Sequence, residues 1–241
     1  MNPVTVSPVR LEAFLDPRLS RWMWLVKWFL AVPHYIVLFF LWIAFSFVTF
    51  VAFFAILFTA RYPRALFDFN VGVMRWNWRV AYYAHTALGT DRYPPFTLAE
   101  APDYPAHFDV VYPERLSRGL VLVKWWLLAI PQYIVVGVFV GDWGWGWGWG
   151  GTDHWHGGLV YFLSFVAVII LAFTGRYPVH LFDFLLGLAR WVARVGAYAA
   201  LMTDAYPPFR LDMGPQDPPP AEPPRAPTGG PGTAEPGRWG G

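Results

Sequence analysis

The sequence predicts an all-α integral membrane protein built from two tandem repeats. Three observations support this: 56% of the 241 residues are hydrophobic, only 14% are charged, and a series of charged and aromatic motifs occurs twice in the same order. A soluble domain carries roughly 25% charged residues, so much of this surface is expected to face lipid. Each repeat is predicted to form a two-span helical hairpin followed by a cytoplasmic, interfacial amphipathic helix, with small β elements on the cytoplasmic face.

The composition also excludes several classes of function. The chain has no cysteine, which excludes disulfides, thiolate catalysis, Cys-ligated zinc and iron–sulfur clusters. Its net charge is only +2, without the basic excess of a nucleic-acid-binding protein, so no nucleic-acid partner is expected. The N-terminal stretch contains Glu12 and Asp16 and no continuous apolar core, so a cleaved signal peptide is not expected.

The first repeat, residues 1–100, begins its membrane part with an apolar run from 22 to 60. This run is nearly twice the roughly 20 residues that one span needs. It therefore predicts two spans, at about 22–42 and 44–60, with a tight turn near Trp42 and Ile43.

The second repeat, residues 105–211, is predicted to contain spans at about 120–140 and 159–174, joined by the loop GDWGWGWGWGGTDHWHGG. The alternating indoles of this loop are expected to rest on the outer interface. The first repeat has no counterpart to the loop, and removing its length from the second repeat places the turn of the first.

Each second span is followed by RYPRALFDF or RYPVHLFDF and then by a helix-length segment, at about 65–88 and 180–202. Near mid-bilayer, the three charges of each segment would cost about 7–10 kcal/mol, whereas its Leu, Val and Phe side chains would return only about 2–5 kcal/mol. Both segments are therefore predicted to lie in the interface. All Lys and Arg then fall on the side of the termini or within spans near that side, and the positive-inside rule predicts that both termini are cytoplasmic.

Several spaced motifs occur once in each repeat. They are VKWFLAVPHYIV and VKWWLLAIPQYIV, the two RYP motifs, GVMRWNWR and GLARWVAR, and TDRYPPF and TDAYPPF. In this order they resemble the bacterial family called "domain of unknown function 4389", over roughly residues 8–98 and 107–211. The resemblance implies a protein of the bacterial inner membrane with unsettled activity, and it supplies no catalytic residues. The Pro/Gly-rich tail, residues 212–241, is expected to be disordered.

Candidate lipid- or anion-binding residues lie on the two interfacial helices and at their corners. Residues seven and eleven apart on a helix lie within about 20° of each other, so one Asp and two Arg share a stripe in each helix. Gly72 and Gly187 lie near these stripes and would let another backbone approach closely. The candidates are Arg61, Asp68, Arg75, Arg79, Arg176, Asp183, Arg190 and Arg194. Two interpretations stay open: a structural network neutralised by the aspartates and lipid phosphates, or a dedicated bidentate site for a headgroup or phosphorylated ligand.

Lys27 and Lys124 lie near the starts of their spans, beside tryptophans. They are expected to snorkel to the cytoplasmic headgroups. Pairing with Asp68 or Asp183 is the alternative.

The sequence contains no G-x-S-x-G, Walker A or H-E-x-x-H pattern. We therefore expect a non-catalytic scaffold or accessory protein, without cofactor, that contacts lipid headgroups or membrane-protein partners, or a second copy of itself, through an Arg-rich cytoplasmic face. A transporter or channel component and an interfacial lipid-modifying enzyme are the alternatives. No metal site is predicted; Asp153, His154 and His156 in the Gly/Trp loop are weak candidates, since these ligands suit Zn²⁺ or Cu²⁺.

Overall fold

The computed structural model describes residues 7–141 and 158–216, which form seven α-helices and one two-stranded sheet. The helices are α1 (Trp24–Leu30), α2 (Val32–Thr59), α3 (Arg64–Ala84), α4 (Arg118–Val123), α5 (Ile130–Val140), α6 (Leu159–Thr174) and α7 (Val179–Ala199); a π-helical turn (Lys124–Leu128) lies between α4 and α5, and the strands are β1 (Val9–Ala13) and β2 (Ala106–Val110). The predictions of a mainly helical fold and of small β elements are confirmed. Most of the Gly/Trp loop and of the Pro/Gly tail lies outside the described residues.

In the first repeat, one long helix replaces the predicted hairpin. Helix α2 runs without interruption through Trp42 and Ile43, so the turn predicted there is wrong. Nothing near these residues breaks a helix, whereas Pro33 lies in the first turn of α2, where its missing N–H is harmless. The interruption falls instead at Ala31, between α1 and α2. With 28 residues, about 42 Å of helix, α2 is the one described helix that is long and apolar enough by itself to cross a membrane.

In the second repeat, α5 and α6 lie end to end along α7. Phe139 of α5 contacts the Trp191 ring, with centroids 5.5 Å apart, while Val160 of α6 packs with Leu188 and Leu185, one and nearly two turns earlier on α7. The backbone of Gly158, at the start of α6, lies directly against the last residues of α5. The two short helices together therefore occupy the place that α2 occupies along α3, and the Gly/Trp loop interrupts a helix where a hairpin was predicted.

The other predicted segments of the second repeat are helical at close to their predicted bounds. The segment expected to span at about 120–140 comprises α4, the π-helical turn and α5, and it bends by 46° before α5. As a bent pair it is a second candidate for crossing a membrane. The bend lies beside Pro131, which removes one backbone donor from the helix.

Helices α3 and α7 form a middle layer and run antiparallel. Met74 of α3 lies against Gly196 of α7, and the rings of Tyr82 and Phe182 are 6.2 Å apart. Most side chains of both helices are buried, because α2, α5 and α6 cover one side and the sheet covers the other.

The sheet is amphipathic. Strands β1 and β2 pair antiparallel, with Val9 opposite Val110 and Ala13 opposite Ala106. Alternation along each strand turns the apolar side chains toward α3 and α7. The residues on the other side of the sheet are Arg10, Glu12, His107 and Asp109. The fold therefore has an outer helical layer, a middle helical layer and a charged sheet.

Each RYP motif forms a corner between two layers. The C-cap residues that follow α2 and α6 are Ala60 and Gly175, both in the left-handed conformation, with φ of 56° and 70°. Such a residue commonly terminates a helix. The motif's tyrosine then enters the core: Tyr62 is buried, accepts a 2.9 Å hydrogen bond from Asn70 Nδ2, and burial raises its pKa to about 12.

Candidate functional site

Arg75 and Arg190 lie at the midpoints of α3 and α7 and reach across to the sheet. Arg75 Nε donates to the Phe108 carbonyl at 2.9 Å, and Arg190 Nε donates to the Leu11 carbonyl at 2.8 Å. Each arginine therefore binds the strand that leads into the other repeat. Arg75 also pairs with Glu100 at 2.6 Å and with Asp109 at 3.0 Å. These contacts join the two repeats and turn both arginines toward the sheet.

Arg79 and Arg194 hold the segments that follow their helices. Arg79 Nη2 donates to the carbonyls of Thr97 and Ala99 at 2.7 and 3.1 Å. Arg194 Nη1 lies 2.6 Å from Asp212 Oδ2. Burial lowers the pKa of Arg79; Glu100 opposes this shift and the neighbouring Arg75 adds to it. Both guanidinium groups thus act within the fold.

The two glycines of the GxxRWxxR motifs allow the close approach that the sequence predicts. A Cβ at Gly72 would meet the Leu98 backbone oxygen at 3.1 Å, and one at Gly187 would meet the Leu211 side chain at 2.6 Å. The segments that follow α3 and α7 can therefore lie directly on these helices, within reach of Arg79 and Arg194.

Asp68 and Asp183 do not neutralise the arginines further along their helices. Asp68 is exposed and lies 3.7 Å from Arg64, one turn earlier. Seven residues correspond to about 10 Å along the helix axis, too far for a direct contact between Asp68 and Arg75. Asp183 is partly buried near the start of α7. In α3, Asp68, Arg75 and Arg79 therefore bind different partners.

The two lysines are buried inside the protein, so the predicted snorkelling is not observed. Lys27 Nζ lies 2.9 Å from Asp91, and Lys124 Nζ lies 2.8 Å from Asp204. Lys27 also donates to the Thr90 carbonyl at 2.7 Å, and Lys124 to the Thr203 carbonyl at 3.1 Å. The partners are neither Asp68 nor Asp183, because the TD dipeptides after α3 and α7 return to the start of each repeat. Sequence reasoning missed Asp91 and Asp204, although both recur with the lysines.

His34 accepts a hydrogen bond from a buried tryptophan, and Gln132 accepts the equivalent bond in the second repeat. Its Nδ1 accepts from Trp76 Nε1 at 3.0 Å, and its buried Nε2 faces the Pro94 backbone without completing a hydrogen bond. Gln132 occupies the same place in the second repeat: Oε1 accepts from Trp191 Nε1 at 2.7 Å, and Nε2 donates to the Pro207 carbonyl at 2.9 Å. An imidazole and an amide each offer one acceptor and one donor. Gln132 can therefore bind the same tryptophan in the second repeat that His34 binds in the first.

Arg61 and Arg176 are the two arginine candidates that reach the surface, at the RYP corners. The Leu116 N–H donates to the Ala60 carbonyl at 2.9 Å, which brings Arg115 beside the first corner. At the second corner the Arg21 guanidinium lies against Gly175. The exposed basic residues near the corners that sequence reasoning missed are Arg18, Arg21, Arg64, Arg115 and Arg118. The repeated RLSR motif was the signal for four of them, and Arg64 is the second arginine of RYPRALFDF.

The outer layer exposes large apolar side chains. Phe40, Phe47 and Phe58, along one face of α2, are 63%, 67% and 72% exposed. Exposed tryptophans lie at the start of each repeat, Trp22 and Trp28 in the first and Trp125 in the second. Contiguous apolar surface of this kind marks a membrane or protein interaction site.

No group of three or more metal-ligating side chains is found within residues 7–141 and 158–216. The weak metal candidates Asp153, His154 and His156 lie outside these ranges.

The sequence comparison identifies one family. The model described as "Domain of unknown function (DUF4389)" matches residues 21–97 and 155–210, together more than half of the chain. The two matched segments fall in the two repeats. No curated protein and no solved structure matches the chain.

Proposed function

We propose that this chain, which belongs to the family described as "Domain of unknown function (DUF4389)", is a non-catalytic membrane scaffold or accessory protein. It contacts anionic lipid headgroups through the arginines at its corners, and it offers its apolar outer layer to lipid or to membrane-protein partners, including a second copy. The location is the bacterial inner membrane, with the charged sheet and both termini in the cytoplasm. We do not propose the four membrane spans predicted from the sequence, because the single helix α2 replaces the hairpin of the first repeat.

The observation that carries the proposal is the separation of two sets of arginines. Arg75 and Arg190 are bound to backbone carbonyls across the fold. Arg61 and Arg176 are exposed beside other exposed arginines at the two ends of an apolar layer. Exposed guanidinium groups next to apolar surface suit lipid phosphates, which they bind bidentately.

The conserved arrangement of polar groups between the two repeats supports a structural role. The lysine–aspartate pairs and the His34 and Gln132 contacts occur in equivalent places, each closing one repeat on itself. Replacing an imidazole by an amide keeps hydrogen bonds and removes a titratable group. This favours a scaffold over a doubled catalytic site.

The test measures which lipids co-purify with the natural protein and with three single variants in mild detergent. Each variant removes one positive charge. Arg61→Gln and Arg176→Gln should each lower the ratio of anionic to zwitterionic lipid, because one basic residue near an anionic surface contributes about 1 kcal/mol, about fivefold in partition. Arg10→Gln, on the charged sheet, is the matched control and should leave the ratio unchanged. Equal ratios in all three variants would refute headgroup binding at the corners.

A further inference from the structure

The molecule has two opposite faces of different polarity. The outer face, formed by α1, α2, α4, the π-helical turn, α5 and α6, exposes Phe, Leu, Ile and Trp side chains. The sheet on the far side of α3 and α7 exposes Arg10 and Asp109. Because the layers are stacked, the direction from apolar to charged surface runs across the helices and not along them.

This direction conflicts with α2 crossing a bilayer along its own axis. Contacts from His34 to Trp76 and from Thr49 to Asn70 show that α3 runs antiparallel along α2, so both helices would cross together. The midpoint of α3 would then lie near the bilayer centre. There Arg75 holds Asp109, whose side chain is 63% exposed, and that carboxylate would face hydrocarbon. Charged groups at such a depth are costly and face the protein interior or water.

A position parallel to the membrane removes the conflict. A helix is about 10–12 Å across, and one leaflet contributes about 15 Å of hydrocarbon, so a single layer of helices fits within it. The exposed arginines at both corners then lie around the edge of the apolar face, at the level of the lipid phosphates. Trp22, Trp28 and Trp125 take the interfacial position that tryptophan prefers.

We infer that the protein is monotopic: α2 and the α5–α6 pair lie in the plane of one leaflet, the corner arginines bind its phosphates, and the sheet stands in water. The occupant of the apolar face is therefore the acyl chains of that leaflet. This inference rests on the proposed function, which supplies the membrane contact, and it adds how deep the protein lies in the leaflet and how its helices are oriented there.

Single cysteines on the outward face of α2 test the placement, since the chain has none of its own. Phe40→Cys, Phe47→Cys and Phe58→Cys lie on one face of the helix, opposite the buried Leu38 and Ile56. Each variant carries a fluorophore in reconstituted vesicles of phosphatidylethanolamine and phosphatidylglycerol, and lipids with quenchers at different acyl positions report its depth. Arg10→Cys is the water-facing control.

The in-plane placement predicts one common depth for the three α2 positions and no acyl quenching at position 10. A crossing helix would separate positions 40 and 58 by about 27 Å, with position 47 nearer the bilayer centre, and that profile would overturn the inference while leaving membrane contact intact. If lipid quenchers affect none of the three positions, both the placement and the proposed lipid contact fail. Thermal unfolding of each labelled variant confirms that the fold is kept.

Discussion

The buried lysine of each repeat provides the sharpest stability test. Lys27→Met keeps most of the side-chain volume and removes the ammonium group that binds Asp91 at 2.9 Å and the Thr90 carbonyl at 2.7 Å. The carboxylate left behind still accepts from the Ser20 N–H at 2.6 Å. Lys124→Met makes the same change in the second repeat, where Asp204 binds the Ser117 N–H at 2.6 Å.

The expected loss follows from the burial of both partners. Removing one member of a buried ion pair typically costs about 3–5 kcal/mol. The side chains of Asp91 and Asp204 are 19% and 25% exposed, so water partly solvates the remaining carboxylate and the lower end, about 3 kcal/mol, is expected. At about 2–4 °C per kcal/mol for a chain of this size, each variant should melt about 6–12 °C below the natural protein.

Thermal unfolding in detergent micelles, followed by tryptophan fluorescence, measures the effect. Asp91→Asn in the Lys27→Met background removes the uncompensated charge but keeps an acceptor for the Ser20 N–H, so the double variant should recover part of the loss. A melting temperature within 2 °C of the natural protein for Lys27→Met, or a double variant that is no more stable than the single one, would refute this account of the pair.

Three further predictions use the equivalent residue of the other repeat, or a second glycine in open space, for comparison. His34→Gln should unfold within about 1 kcal/mol of the natural protein, whereas His34→Leu, which leaves the indole N–H it binds unpaired, should lose about 1–3 kcal/mol in the same melting assay. Ala60→Gly should stabilise by about 0.5 kcal/mol because φ is 56° there and the equivalent residue is Gly175; a lower melting temperature would contradict this. Gly72→Ala should destabilise by about 1 kcal/mol, since its Cβ would meet Leu98 Cβ at 2.9 Å. Gly119→Ala, with nothing within 4 Å, should instead raise the melting temperature, and equal shifts would contradict the steric argument.

The sequence predicted the features that depend on composition and local pattern. The shortage of charge, the doubled motifs and the helix-length segment after each RYP motif indicated an apolar, repeated, mainly helical chain. The second-repeat helices fall close to their predicted bounds for the same reason, since glycine and proline delimit them.

Features that depend on partners distant in sequence were less predictable. A length rule divided the apolar run of the first repeat into two spans, although nothing at Trp42 stops a helix. The arginines of α3 and α7 bind backbone carbonyls such as those of Phe108 and Leu11. Every residue has a backbone carbonyl, so the sequence does not indicate which one an arginine binds. The partners of the lysines were accessible in principle, because Asp91 and Asp204 recur with them in both repeats.

The end-to-end meeting of α5 and α6 has an evolutionary consequence. In one repeat a continuous polypeptide forms the long helix, and in the other two pieces meet at Gly158 while α7 keeps them aligned. Packing against a neighbour, rather than an unbroken backbone, is therefore sufficient to define this helix. The two repeats therefore keep the same helical layer although only one of them has an unbroken backbone there. The junction is a site where the protein could diversify without rebuilding its scaffold.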